Sequence, residues 1–236
     1  MNRIIFVVGG KHCGTTLSAT ILGVNSKCHL IPMETGAYSF KFIEQIRKPF
    51  IRQVSEIDSE VVVEKTPDHV YQIDKIQEDW PNSPIFVITR NPIDRVASTT
   101  RRHGNFNQSV YECSNDLTAC INAMEKPNTF LVSYEQIVKD FRNVVGQMCY
   151  FAQLQFEERM VNFHEHSPTW FEKKLEDDHH RLRSNQMKTP LYDDSGWGKE
   201  YLTIDQIDQV KIDCMEKYNS LMSYSTVDSK VLPTLY

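Results

Sequence analysis

Short apolar runs alternate along this chain with longer stretches in which apolar residues recur every three or four positions. Residues 3–8 contain Ile4-Ile5-Phe6-Val7-Val8 without a polar break and stop at Gly9-Gly10. Such a run predicts a parallel strand buried on both faces, because a half-exposed strand would turn polar at every second position. Residues 61–63, 84–89 and 128–132 predict further strands of the same kind. Helical spacing follows at 15–23, 69–79, 92–102 and 135–150. The helix at 92 has a clear start, with Asn91 as the cap and Pro92 at the first helical position, where its missing N–H costs nothing.

This alternation predicts an α/β fold, a three-layer domain with a central parallel sheet flanked by helices. Beyond residue 157 the chain reads as mostly helical. A final helix at 203–222 is capped by Thr203, and 164–194 is a polar, irregular stretch. Phe151, Phe156, Met160, Phe163 and Trp170 are expected in the core. No repeat or linker divides the chain, so residues 1–224 are expected to form one domain and 225–236 an extended tail.

Composition agrees with a folded chain: 236 residues, 40% hydrophobic and 24% charged, are ample for one core. A net charge of −5 provides no global field for nucleic acid or a membrane surface, so any anion site must be a local concentration of cations. The apolar run at the start is too short for a signal segment or a bilayer span, which predicts a cytoplasmic protein. The six cysteines form no CxxC pair and are expected as reduced thiols.

The chemistry concentrates in Gly9-Gly10-Lys11-His12-Cys13-Gly14-Thr15-Thr16, between a strand and a helix. Glycines there let backbone N–H groups converge on an anion at the helix start, as in P-loop-type domains. The nucleotide-hydrolysing loop G-x-x-x-x-G-K-[ST] is matched at Gly9 and Gly14, but Thr15 stands where its lysine would be. Positive charge sits earlier instead, at Lys11 and His12. A second feature is Arg90 at the carboxyl end of a strand, where ligands bind in open α/β sheets, with Ser98 about two turns along the next helix. Arg95, Arg101 and Arg102 read as a solvated helix face. His103 can approach the site or cap its helix. His164, His166, His179 and His180 lack metal-ligand spacing and read as a solvated loop.

Residues 8–17 resemble the 5′-phosphosulfate loop of sulfotransferases that use 3′-phosphoadenosine 5′-phosphosulfate. Arg90 and Ser98 match the residues by which that family holds the 3′-phosphate. Glu64-Lys65-Thr66-Pro67 resembles an element of bacterial members. Ser133-Tyr134-Glu135-Gln136 is similar to their Tyr-Glu-Asp-Leu stretch, and Ser195-Gly196-Trp197-Gly198-Lys199 to the loop closing over the nucleotide. The resemblance implies nucleotide contacts from Gly10, Lys11, His12, Cys13, Gly14, Thr15, Thr16, Arg90, Ser98, Tyr134, Trp197 and Lys199. Cys13 would present its backbone N–H, and Trp197 could stack on adenine.

The implied reaction is direct in-line sulfo transfer to a hydroxyl acceptor: a sugar, a small alcohol, or a phenol like that of tyrosine, whether free, in a glycan or in a peptide. Neither nucleic acid nor membrane is an expected partner. Glu34 is the general base that the resemblance implies, Lys65 reaches the transferred group, and either Lys11 or His12 meets the leaving phosphate. No metal is required if these groups supply the charge. Two other readings remain: a small-molecule kinase using Mg·ATP, and a nucleotide-binding relative that has lost catalysis. Arg90 stands where a kinase would carry a Mg²⁺-binding acid.

Overall fold

The protein is described by a computed structural model covering residues 3–39, 43–174 and 176–224. Five parallel strands form one sheet in the order β2-β3-β1-β4-β5. They are β1 (Arg3–Gly9), β2 (Cys28–Leu30), β3 (Val61–Lys65), β4 (Ile85–Thr89) and β5 (Thr129–Ser133). Between them run α1 (Thr15–Gly23), α2 (Ile43–Glu56), α3 (Ile73–Asp79), α4 (Pro92–His103) and α5 (Phe106–Met124). After β5 come α6 (Tyr134–Lys139) and α7 (Phe141–Phe151).

The continuous apolar strands are explained by a core on each face of the sheet. Ile4, Phe6 and Val8 pack into one layer with Val62, Val87 and Leu131, whereas Ile5 and Val7 pack into the other with Val63, Phe86 and Val132. The same alternation sends the last two residues of β3 to opposite layers. Glu64 goes toward Tyr38 and His69, and Lys65 toward Trp170 and Phe171.

Helix starts follow their caps. Asn91 Oδ1 accepts from the Ile93 N–H at 3.0 Å ahead of α4, and capping boxes open α6 at Ser133 and the helix Ile204–Val210 at Thr203.

Several expectations are corrected. The segment 69–79 begins inside a 3₁₀ turn, Pro67–Gln72, and becomes α-helical only at Ile73–Asp79. The helix expected over 135–150 breaks at Asp140 into α6 and α7. The polar stretch 164–194 contains a helix, Asp178–Gln186, and 203–222 carries a π-helical turn at Lys211–Met215. The helices α2 and α5 and the short strand β2 are present in addition to the expected elements. Residues 225–236, expected as a tail, lie outside the described residues. Among the described residues, no helix is long and apolar enough to cross a membrane.

Candidate active site

The loop from β1 to α1 lies at the carboxyl end of the central strand. Gly9 has φ +133°, and a Cβ there would come within 2.1 Å of the Ile88 carbonyl oxygen of β4, so only glycine fits. Gly14 has φ +92° at the N-cap of α1, where a Cβ would stand 3.0 Å from the Tyr134 ring. Among the described residues, no side chain caps α1. The first-turn N–H groups of α1, those of Thr15 and Thr16 among them, therefore have no intrahelical acceptor and favour an anion. The Cys13 N–H closes the loop on the Gly10 carbonyl at 3.3 Å. Burial pushes its thiol up to about 12, so it is protonated at neutral pH.

Arg95 is not on a solvated face. It is 2% exposed beneath the loop, where its Nε donates to the Lys11 carbonyl at 2.9 Å and its guanidinium pairs with Asp116. Asp116 also accepts the Tyr71 hydroxyl and, at 3.4 Å, the Lys11 N–H. A buried ion pair thus braces the loop from below. The Lys11 side chain turns to Asp68 at 3.2 Å and stays half-exposed.

His12, at φ +62°, places Nδ1 3.2 Å from Ser98 Oγ and stands edge-on to the His103 ring, with centroids 5.9 Å apart. Burial, and then the charges of Arg102, Arg183 and Arg95, push its imidazole down to about 3. His12 is therefore neutral at pH 7, and Lys11 is the charged member of the two. Gly104 caps α4, so His103 faces His12 from the last helical turn.

Glu34 and Lys65 meet directly. Lys65 Nζ donates to Glu34 Oε1 at 2.7 Å from a fully buried position, 5.0 Å from the Trp170 ring centroid. Arg183 Nη1 donates to the same oxygen at 3.1 Å. Burial pushes Lys65 down to about 8, with Glu34 opposing the shift. For Glu34, burial acts upward, but Lys65 and then Arg183 outweigh it and hold the carboxyl below its usual range.

The pair is held by Glu64, which accepts Thr35 Oγ1 at 2.8 Å, Thr66 Oγ1 at 2.7 Å and His69 Nδ1 at 3.1 Å. His69 Nε2 accepts the Tyr38 N–H, which puts the imidazole proton on Nδ1. Thr66 Oγ1 accepts the N–H groups of Thr35 and Gly36 at 3.1 and 3.3 Å, fixing the backbone next to Glu34.

Arg90 is 7% exposed. Its Nη2 donates to Asp194 Oδ1 at 2.8 Å and its guanidinium lies 4.2 Å from the Tyr134 ring centroid, while its buried Nε has no hydrogen-bond partner among the described residues. The Tyr134 hydroxyl donates to Asp194 at 2.7 Å. Asp94 accepts the Gly196 and Gly198 N–H groups at 2.7 and 2.9 Å and clamps the C-terminal loop onto α4. The Arg101 guanidinium covers the Trp197 ring at 4.6 Å, and Lys199 is exposed.

Of the residues singled out from sequence, the structure brings Glu34 together with Lys65, His12 with Ser98, and Arg90 with Tyr134. It does not join Arg90 to Ser98 by any hydrogen bond among the described residues. The roles of Asp94, Asp116, Arg183 and Asp194 carry no pattern in the sequence, apart from Asp94 standing as the one acid among Arg90, Arg95, Arg101 and Arg102. Among the described residues, no group of three His, Cys, Asp or Glu could hold a metal ion.

The profile of the Sulfotransferase family matches residues 41–158. Among solved structures, the chain is similar to a sulfotransferase domain from the curacin biosynthetic pathway, at 15% identity and TM-score 0.60, over 90% of this chain and 97% of that one. It is also similar to a mouse sulfotransferase complexed with PAP, at 14% identity and TM-score 0.56, covering 96% and 86% of the two chains. A sulfotransferase from Mycobacterium avium gives 12% identity and TM-score 0.57, covering 96% and 78%. At these identities the likeness is one of fold. No curated protein matches the sequence.

Proposed function

The chain belongs to the sulfotransferase family, and on that premise we propose that it transfers a sulfo group from 3′-phosphoadenosine 5′-phosphosulfate to a hydroxyl acceptor by direct in-line displacement. The observation that carries this reading is the Glu34–Lys65 pair, 2.7 Å apart at the end of the strand beside the loop. An acid held ionised and a buried ammonium, side by side, suit a reaction that removes a proton on one side and spreads negative charge on the other.

The residues fit the donor. Glycine conformations open the loop at Gly9 and Gly14, and among the described residues no side chain caps the start of α1 and none pairs with the buried Arg90 Nε. The 5′-phosphosulfate lies on the N–H groups of Thr15 and Thr16, with Lys11 as the nearby cation. Arg90 takes the 3′-phosphate, with the Tyr134 ring supporting its guanidinium, and Ser98 adds a hydroxyl from α4.

Glu34 Oε1 is occupied by Lys65 and Arg183, so Oε2 accepts the acceptor's hydroxyl proton. As the acceptor's hydroxyl oxygen forms its bond to sulfur, the bond from sulfur to the bridging phosphate oxygen breaks. The electron pair stays on the 5′-phosphate. Lys65 stabilises the charge on the sulfo oxygens during transfer, and Trp170 and Phe171 keep water from its ammonium.

The test is to incubate the protein with sulfur-35-labelled donor and a panel of phenols, sugars and hydroxylated peptides. Label is expected in an acceptor with wild type and at least a hundredfold more slowly with Glu34→Gln, the usual scale for losing a general base. Equal rates in the two proteins would remove Glu34 from this role.

A further inference from the structure

Phe171 holds a backbone conformation that its own bulk disfavours. Its φ is +56°, in the left-handed region where a Cβ crowds the following carbonyl oxygen. Such a conformation persists only where the surroundings fix it. Here three elements do so. The Phe171 N–H donates to the Pro32 carbonyl at 2.8 Å, two residues before Glu34. The neighbouring Trp170 donates its N–H to Ser184 Oγ at 3.1 Å, on the helix Asp178–Gln186, and its Nε1–H to Thr20 Oγ1 of α1 at 3.0 Å.

The ring so placed is 4% exposed, with its centroid 5.2 Å from Lys65 Nζ and 5.3 Å from the Arg183 guanidinium. These are the two cations that share Glu34 Oε1, at 2.7 and 3.1 Å. Like charges converging on one carboxylate oxygen away from water repel each other. An aromatic face attracts both through its quadrupole and adds no charge of its own. A leucine there would also exclude water but would leave the repulsion unopposed.

The charged groups acting on Lys65 are Glu34 and Arg183 at the shared oxygen and Glu64 from its own strand. The helix α1, packed in the same layer, carries no ionisable side chain. His180 meets the Phe171 ring, with centroids 4.6 Å apart, and pairs with Asp177 at 3.3 Å.

On the sulfotransferase reading of the site, we propose that Phe171 is a positioning residue. Its ring holds the Lys65 ammonium and the Arg183 guanidinium together on Glu34 Oε1, which leaves Oε2 free for the acceptor's hydroxyl. Burial pushes Lys65 down to about 8 against the opposing pull of Glu34, and the ring's attraction supports the charged form. Weakening the quadrupole therefore lowers the pH at which Lys65 loses its proton. Loosened packing does the opposite, because water reaching the ammonium raises that pH toward its ordinary value. The two effects differ in sign.

The test replaces Phe171 with 4-fluoro-, 3,5-difluoro- and 3,4,5-trifluorophenylalanine, which draw electron density from the ring at almost constant shape and so keep the fold. Each protein carries carbon-13 at the lysine Cε, and the Lys65 signal is identified by its loss in Lys65→Arg. Titration from pH 6 to 10 is expected to show the Lys65 midpoint falling stepwise along the series, by about half to one pH unit in all. Phe171→Leu is expected to lower it by a similar amount, and Phe171→Tyr to leave it near that of wild type. A midpoint that stays fixed along the fluorinated series, or one that rises, would overturn the proposal. Titration of the same proteins with 3′-phosphoadenosine 5′-phosphate tests the underlying reading separately. Binding in wild type and along the series supports that reading. Its absence in wild type would overturn the sulfotransferase reading, while the Lys65 titration still decides what the Phe171 ring does.

Discussion

Arg90 Nη2 and the Tyr134 hydroxyl donate to the same oxygen of Asp194, at 2.8 and 2.7 Å, so that a carboxylate of the C-terminal loop engages the arginine assigned to the donor's 3′-phosphate. Donor binding and the position of residue 194 are then coupled, because one guanidinium edge cannot serve both anions fully. Asp194→Asn keeps the shape and removes the competing charge. It is expected to tighten 3′-phosphoadenosine 5′-phosphate by about tenfold, the scale of one charge-assisted hydrogen bond. Calorimetry checks this, and unchanged or weaker binding would show that Asp194 orients Arg90 rather than competing for it.

The Glu34–Lys65 pair predicts a pH profile. The dependence of kcat/KM reports the free enzyme's ionisations. Lys65, pushed down to about 8 by burial, is charged below that pH and loses its proton above it, so kcat/KM falls as pH rises through about 8. On the acid side the fall comes below the usual carboxylate range, because Lys65 and Arg183 outweigh the upward effect of burial on Glu34. Lys65→Arg, which stays charged, is expected to retain a low rate and lose the alkaline fall. Rate measurements from pH 5 to 10 with both proteins decide it.

His12 predicts acid sensitivity. Its imidazole titrates at about 3 in the fold, first through burial and then through the surrounding arginines, against about 6.5 in an unfolded chain. Between those values the unfolded chain binds the extra proton, so stability contributed by neutral His12 is complete above about 6.5 and declines as pH falls toward 3. At pH 5 the decline amounts to about 2 kcal/mol. Urea unfolding of wild type and His12→Gln at pH 7.5 and 5.0 is expected to show wild type losing about that much more than the variant.

Arg95 predicts a large stability loss with a specific rescue. Arg95→Met leaves Asp116 buried with its charge uncompensated and is expected to cost about 3–5 kcal/mol. Adding Asp116→Leu removes the stranded charge and is expected to recover most of that stability. Donor affinity would not return, because the Lys11 carbonyl loses its donor in both proteins. Denaturant unfolding and nucleotide titration together separate the two effects.

The parts legible in the sequence are those encoded locally. The apolar run before Gly9, the cap at Asn91 and the two-sided burial of β1, β3 and β4 each follow from a few adjacent residues. Arg95 was misread because four basic side chains on one helix resemble a solvated face, and only the distant Asp116 turns one of them inward. Asp194 and Asp94 reach partners about a hundred positions away, a relation that carries no local pattern. The helix α2 contains Pro49, which obscures its periodicity. Glu34 and Lys65 could be singled out in the sequence only by resemblance, and their hydrogen bond depends on Glu64, Thr66 and His69 holding the intervening backbone.

The most direct test of the account is calorimetric titration of wild type and Arg90→Ala with 3′-phosphoadenosine 5′-phosphate, ADP and Mg·ATP. The account predicts tighter binding of the 3′-phosphorylated nucleotide than of ADP in wild type, without added metal. Arg90→Ala is expected to lose about ten- to a hundredfold of that affinity and no affinity for ADP. Preference for Mg·ATP, or indifference of the 3′-phosphorylated nucleotide to Arg90, would contradict it.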